Sequence, residues 1–229
     1  PWDALVARCV ECGLAGVECL SGIPGTVGGT PVQNVGAYGQ EVSTVIRTVR
    51  VFDRVTGEAS DLSASDCDFE YRSSAFNTAH AGRYVVLRVT YGLTPGGQPR
   101  VSYRDVMEQF RSSVAGPSLH DVRAAVRGIR RAKAMLLVPG DEDSRSAGSF
   151  FKNPVVSEAE YARLNELAGP ELPRYPASEG LVKVPAAKLI EKVGFARGYR
   201  RGGAAISSRH TLALVNRDRA TAREILDLA

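Results

Sequence analysis

Between Gly22 and Gly39 the chain reads GIPGTVGGTPVQNVGAYG, a run with six glycines and two prolines. Glycine removes side-chain bulk and permits positive φ, while proline fixes φ and removes an amide donor, so regular helix or strand is disfavoured throughout. A flexible linker would be polar. Here Val27, Val32, Val35 and Tyr38 stand among the glycines, which makes the run a shaped backbone surface, able to bring amides close to a phosphate-rich ligand. Composition alone allows a second reading, a series of tight buried turns. The spacing matches neither the dinucleotide-binding GxGxxG pattern nor the Walker A pattern, so neither a Rossmann site nor a nucleotide hydrolase follows.

The 229 residues can bury a proper core, in one large domain or two small ones. Twenty-nine basic and 25 acidic residues give a net charge of +4, too weak a bias for a nucleic-acid surface, and the two arginine clusters lack interleaved aromatics. Arg127, Arg130, Arg131 and Lys133, then Arg197, Arg200 and Arg201, suit a small anionic metabolite better. Cys9 and Cys12 have CxxC spacing, but histidines and a second cysteine pair are missing nearby, so buried or half-buried thiols are expected rather than a metal or redox site. No long apolar run or signal-like start occurs, which points to a cytoplasmic protein without membrane insertion.

Helical periodicity marks Trp2, Leu5, Val6, Cys9 and Val10, and again Val122, Val126, Ile129 and Met135. Val45–Phe52 and Tyr84–Leu93 read as strands, with a shorter one at Val101–Tyr103 and another at Thr211–Val215. Ser157 with Glu160 forms a capping box for a helix through about Ala168; Thr221 with Glu224 starts another, and Pro185 opens a third that closes near Gly194. The acidic turn PGDEDSRS, Pro139 to Ser146, is the best internal boundary, dividing the chain into 1–138 and 139–229. Elements without a βαβ cadence predict an α+β fold.

Two positions attract chemistry. Arg72, in CDFEYRSSAF, is either a surface stack or ion pair, or a rigid cation whose planar fork faces a carboxylate or enolate. Ser149, in AGSFFKN, lacks a GxSxG elbow and a spaced triad, which favours a positioned hydroxyl donor over a nucleophile. Lys152 and Asn153 either orient an anion or close a capped turn.

Four ordered blocks, the Gly22–Gly39 run, YRSSAF from Tyr71, SAGSFFKNPVV at 146–156 and GGAAISSRHTLALVN at 202–216, resemble the UDP-N-acetylenolpyruvoylglucosamine reductases, also called UDP-N-acetylmuramate dehydrogenases. The resemblance covers nearly the whole chain. It implies part of an FAD-binding lobe of the vanillyl-alcohol-oxidase-like type followed by a smaller α+β substrate-binding lobe. It implies too a flavoenzyme of peptidoglycan precursor synthesis, in which NADPH reduces FAD and the flavin then reduces a UDP-linked enolpyruvyl sugar. On that template Arg72 looks like the enolate-stabilising cation and Ser149 like the acid that protonates the α-carbon. Gly22, Ile23, Pro24, Gly25, Thr26, Val27, Gly28, Gly29, Asn34, Gly36, Ala37 and Tyr38 are expected along FAD. Tyr103, Arg130, Lys133, Asn153 and His210 are expected toward substrate.

The family also has an upstream phosphate loop rich in glycine and asparagine, and a late glutamate in an LEPEVR-like strand. Neither has a counterpart between Pro1 and Ala229, and Glu224, in a helical TAREIL context, is no substitute. The expectation is a fragment of a larger reductase, which in isolation holds FAD weakly and is inactive. A catalytically retired scaffold or interaction domain of the same fold is the alternative.

Overall fold

The computed structural model describes residues 1–111, 116–169 and 172–229, which form two compact units, Pro1–Arg130 and Arg131–Ala229. The acidic turn chosen as a boundary from the sequence lies inside the second unit.

In the first unit α1 (Trp2–Glu11) buries Trp2, Val6, Cys9 and Val10, a single stripe at helical spacing. Trp2 Nε1 donates to the Leu20 carbonyl at 3.0 Å, so the largest apolar group of the helix also satisfies its one polar atom. The chain continues through β1 (Leu14–Ala15), β2 (Gly36–Ala37), β3 (Gln40–Glu41), β4 (Ile46–Asp53), β5 (Ala59–Ser63), β6 (Tyr84–Tyr91) and β7 (Thr94–Pro95). Two helices follow, α2 (Arg104–Met107) and α3 (Leu119–Ala132). β4 is the middle of an antiparallel sheet ordered β5-β4-β6, with Val49 opposite both Leu62 and Val89. A register shift between Ile46 and Thr48 changes the phase of the strand, so that Ile46 and Val49 both reach the core despite their odd spacing. Trp2, Val6, Cys9, Val17, Leu20, Val42, Val49, Val51 and Phe76 close that core, and Ile23, Val27, Val32 and Val35 of the glycine-rich run pack against it. The valines are therefore the anchors of the shaped surface.

The strand expected at Val101–Tyr103 does not form. The Arg100 N–H goes to Glu18 Oε1 (3.4 Å) and its carbonyl lies 4.0 Å from Cys19 Sγ, so the approach to this stretch is held by side chains rather than a ladder. Tyr103 then serves as the N-terminal flank of α2, its carbonyl accepting from Val106 and Met107.

The second unit contains β8 (Val155–Ser157), α4 (Glu158–Ala168), β9 (Tyr175–Pro176), β10 (Leu181–Lys183), α5 (Ala186–Lys192), β11 (Arg200–Arg201), β12 (Ala204–Ile206), β13 (Leu214–Asn216) and α6 (Ala222–Leu228). Its strands make two antiparallel sheets, β8-β10-β9 and β11-β12-β13. Both expected capping boxes are present. Ser157 Oγ accepts the Glu160 N–H while Glu160 accepts the Ser157 N–H, and Thr221 and Glu224 repeat the exchange. Each such cap stabilises its helix by about 1 kcal/mol. The strand expected over Thr211–Val215 begins at Leu214 instead, because Thr211 Oγ1 is held by Glu191 and the Ala213 N–H turns back onto the His210 carbonyl.

One ion pair offers a pH test of the first unit. Arg83 places Nε and Nη2 on Asp53 Oδ2 at 2.9 and 2.6 Å, joining the end of β4 to the start of β6. The Arg83 hydrogen bond, helped by the Val55 and Thr56 N–H groups, outweighs burial and brings the Asp53 carboxyl down from 3.8 to about 2. A lowered folded-state value means a contribution fully present above the unfolded value and lost as pH falls through the folded one. Asp53→Asn should therefore lower the urea midpoint near neutral pH, with the gap to the unsubstituted protein closing between about pH 4 and pH 2. A gap that persists unchanged at the acid end would show that the ion pair is not its source.

Candidate functional site

The glycine-rich run folds into a turn followed by a hairpin. Val27–Gly29 is a short 3₁₀ turn capped by Thr26, whose Oγ1 accepts the Gly29 N–H at 3.2 Å. Among the described residues no acceptor meets the N–H groups of Gly25, Thr26, Val27 or Gly28, and Gly25 and Thr26 are exposed. Amides without an acceptor, on a glycine-rich backbone, are chemically suited to an anionic group. β2 and β3 are joined by Tyr38 and Gly39 at φ 49° and 84°. A two-residue hairpin turn of this hand requires positive φ at both places, and glycine meets that at the second without strain.

The Arg72 block is laced to this hairpin. Glu70 and Ser73 bridge across a tight turn with Tyr71 and Arg72 at its tip. Arg72 sits at φ 55°, a left-handed conformation that costs a long side chain roughly 1–2 kcal/mol. Its guanidinium donates to the Gly36 carbonyl and, at 3.3 Å, to the Asn34 carbonyl. Ser74 Oγ donates to the Val32 carbonyl (2.6 Å), and Asn34 Nδ2 donates to the Glu70 carbonyl (3.0 Å). Asn34 is itself buried, donating also to Glu41 Oε2 and accepting the Ser43 N–H. A methyl group at Gly36 would lie 2.7 Å from Glu41 Cγ, 2.8 Å from Arg72 Nη1 and 2.9 Å from the Gln40 carbonyl oxygen. Only glycine fits.

A second set of bonds fixes the start of the run. Asp3 Oδ1 accepts the Gly22 N–H at 2.6 Å, and the Gly22 carbonyl accepts from Arg130 Nε at 3.2 Å. Asp3 also receives Arg123 and Arg127 from α3. Burial pushes its carboxyl upward, but the Arg123 hydrogen bond, the Gly22 N–H and the two guanidinium charges prevail and hold it below the usual range. Arg130 is buried, which lowers its own pKa, and hydrogen-bonds with Tyr38. The Tyr38 ring in turn meets Tyr103 edge-on at 5.4 Å. Gly22, Tyr38, Tyr103 and Arg130 therefore gather in one place.

Sequence reasoning missed Asp3, which reads as an ordinary acid in the first turn of a helix. It missed Glu18 as well. That carboxylate is buried beneath the hairpin, accepting the Gly16 N–H (2.7 Å) and Gln40 Nε2 (2.8 Å), while Gln40 Oε1 accepts the Cys19 N–H. No local pattern announces either role.

In the second unit Ser149 is exposed, and the Phe150 N–H beside it donates to the Leu212 carbonyl at 2.7 Å. His210 Nδ1 accepts the Leu212 N–H at 3.2 Å. Burial lowers the imidazole pKa, and the charges of Lys133 and Arg197 lower it further. Lys133, His210 and the Ser149 loop thus belong together. Asn153 is engaged differently, its Oδ1 accepting the Ala186 N–H at the start of α5. Arg72, Tyr103, Arg130 and the residues expected along FAD belong to the first unit, and Lys133, Ser149, Asn153 and His210 to the second.

Cys9, Cys19 and Cys67 are buried and Cys12 is exposed, all as free thiols. Burial, with the Glu18 charge adding, pushes Cys19 up to about 12, far from a reactive thiolate. Among the described residues no three His, Cys, Asp or Glu side chains gather as a metal site. Nor is any described helix long and apolar enough to cross a membrane.

Comparison with known proteins connects the two units. Residues 1–63 match the family model described as FAD binding domain, and residues 140–229 match that of the UDP-N-acetylenolpyruvoylglucosamine reductase C-terminal domain. Ser149, Asn153 and His210 lie within the second match; Arg72, Tyr103, Arg130 and Lys133 lie outside both. The UDP-N-acetylenolpyruvoylglucosamine reductase of Thermobifida fusca is 49% identical over 236 residues, covering 100% of this chain and 66% of that protein. The Streptomyces avermitilis reductase is 48% identical, with 100% and 65% covered. The solved UDP-N-acetylenolpyruvylglucosamine reductase of Thermus caldophilus superposes with a TM-score of 0.63 at 25% identity, over 98% of this chain and 62% of that one. The chain thus spans a little under two thirds of the length of the relatives it matches. With α+β units whose ends match an FAD-binding domain and the reductase C-terminal domain, the chain belongs to the UDP-N-acetylenolpyruvoylglucosamine reductase family.

Proposed function

We propose that the protein carrying this chain is an FAD-dependent reductase that uses NADPH to convert UDP-N-acetylglucosamine enolpyruvate into UDP-N-acetylmuramate, in the cytoplasmic synthesis of peptidoglycan precursors. The observation that carries this reading is the lacing of Arg72 onto the carbonyls of Gly36 and Asn34. It fixes a planar cation on the segment that the FAD-binding resemblance assigns to the cofactor. The acceptor-free amides of Gly25 to Gly28 suit the same group, with Ile23, Pro24, Gly29, Ala37 and Tyr38 beside them and Gly22 fixing the start of the run on Asp3 and Arg130.

FAD, recharged by NADPH, would supply the hydride that reaches the terminal vinyl carbon. The remaining work falls to side chains of this chain. As the vinyl CH₂ becomes a methyl group, negative charge collects on the carbon bearing the ether and on its carboxylate. Arg72, already oriented by two backbone carbonyls, stabilises that charge with no reorganisation at the moment of reaction. Ser149 then gives its proton to the same carbon, completing the lactyl ether. A serine hydroxyl is a weak acid, but an enolate is a strong base, which makes the transfer feasible when donors stabilise the alkoxide left behind. Tyr103 and Lys133 are the substrate contacts we favour. Arg130 is buried against Gly22 and Tyr38, and Asn153 holds the start of α5, so both shape the surface more than they reach from it.

The test separates the two half-reactions in protein expressed from the complete open reading frame. Ser149→Ala should leave flavin reduction by NADPH intact and slow the reoxidation by enolpyruvyl substrate by about 100–10,000-fold. Rapid mixing with NADPH alone reads the first phase, and mixing the reduced protein with substrate reads the second. Equal slowing of both phases would indicate damaged flavin geometry instead. Undiminished reoxidation with the correct lactyl product would remove Ser149 from the acid role.

A further inference from the structure

We propose that His210, as the neutral imidazole with its proton on Nε2, is a positioning residue for Ser149, acting through Leu212 and Phe150. The Nδ1 nitrogen accepts the Leu212 N–H at 3.2 Å, and a ring nitrogen that accepts cannot carry the proton. The carbonyl of the same Leu212 accepts the Phe150 N–H at 2.7 Å. One residue therefore joins the imidazole to the backbone immediately after Ser149. Packing cannot replace this link, because Ser149 and Phe150 are both exposed. The turn itself is closed by the Ala213 N–H on the His210 carbonyl (3.1 Å) and by the Ser207 N–H on the Ala213 carbonyl (2.8 Å).

The surroundings hold His210 in this form. It is half-buried, which disfavours the charged ring, and Lys133 and Arg197 both add positive charge against it. The Glu191 carboxylate, on α5, is engaged elsewhere: it accepts from Thr211 Oγ1 (2.5 Å) and Lys188 Nζ (3.3 Å) and lies 4.0 Å from Arg197 Nε. A proton on Nδ1 would set N–H against the Leu212 N–H while adding a third cation. The folded-state pKa is accordingly below the ordinary 6.5. The anchor is thus fully formed above that value and is lost as pH falls through the lower one. The functional half of the proposal rests on Ser149 as proton donor; the anchoring half does not.

The experiment uses protein expressed from the complete open reading frame, with ¹⁵N-labelled histidine and amide hydrogen exchange at Phe150. At neutral pH His210 should show the Nε2–H tautomer and titrate below 6.5. Protonation should lower the Phe150 protection factor by roughly tenfold, the equivalent of one hydrogen bond. His210→Ala should lose that protection at every pH. His210→Asn, whose Oδ1 can take the place of Nδ1 and does not titrate, should keep it at every pH and flatten the acid limb of the flavin reoxidation rate. An Nδ1–H tautomer, or Phe150 protection indifferent to His210 protonation in the unsubstituted protein, would overturn the anchor even if the alanine variant failed to fold. The tautomer and coupling together with a reoxidation rate that ignores the His210 titration would overturn the link to Ser149. Complete absence of substrate-driven reoxidation would instead refute the reductase reading and, with it, the functional half, leaving the anchor established.

Discussion

The contact between the Arg72 guanidinium and the Gly36 carbonyl is the constraint on which the first unit's surface depends. Two segments with little regular structure, residues 32–36 and 70–74, hold each other through four hydrogen bonds from Arg72, Ser74 and Asn34. Neither segment would be stable alone in these conformations. Asn34, Tyr38 and Arg72 all have positive φ, a cost that persists only where surrounding contacts over-determine the backbone. Valines beneath the glycine-rich run tie it to the α1 and β4 core, so strain at the surface is offset by burial below. A guanidinium held by backbone carbonyls that cannot rotate away needs no further ordering, which is what the role proposed for Arg72 requires.

What could be read in advance follows a physical division. Capping boxes at Ser157 and Thr221 were legible because both partners lie within one helical turn. The stripe of α1 was legible because burial repeats at helical spacing. The unusual backbone of Gly22–Gly39 announced itself through glycine and proline, while its partner Arg72 came from an adjacent block of recognisable sequence. Asp3, Glu18 and Gln40 were invisible: their partners are 19 to 124 residues away for Asp3 and a carboxylate buried against backbone amides has no periodic signature. The short strand expected at Val101–Tyr103 failed for the same reason, since a buried glutamate from another segment holds the backbone that precedes it.

The second unit shows how one acidic turn can hold distant segments together. Pro139 to Ser146 is acidic and turn-rich, and so reads as a seam. In the fold Asp143 is buried, accepting from Ser208 Oγ and from Arg217, while Asp141 holds Arg209. Burial pushes the Asp143 carboxyl up, but the Ser208 hydrogen bonds and the Arg217 charge outweigh it and keep it ionised. Those arginines lie in the segments flanking His210 and β13, so the acidic turn fixes the same region whose His210–Leu212 turn anchors Phe150.

The most direct measurement of the central claim is the coupling energy between Gly36 and Arg72, from urea unfolding of Gly36→Ala, Arg72→Ala and the double variant in protein expressed from the complete open reading frame. Forcing a methyl group into this contact should destabilise the protein by about 1–3 kcal/mol while Arg72 is present. Removing the guanidinium should relieve part of that, giving a coupling above roughly 0.5 kcal/mol, with the remaining cost set by Glu41 Cγ and the Gln40 carbonyl. Strictly additive losses would mean that the two segments are not held by this contact, and would contradict the account.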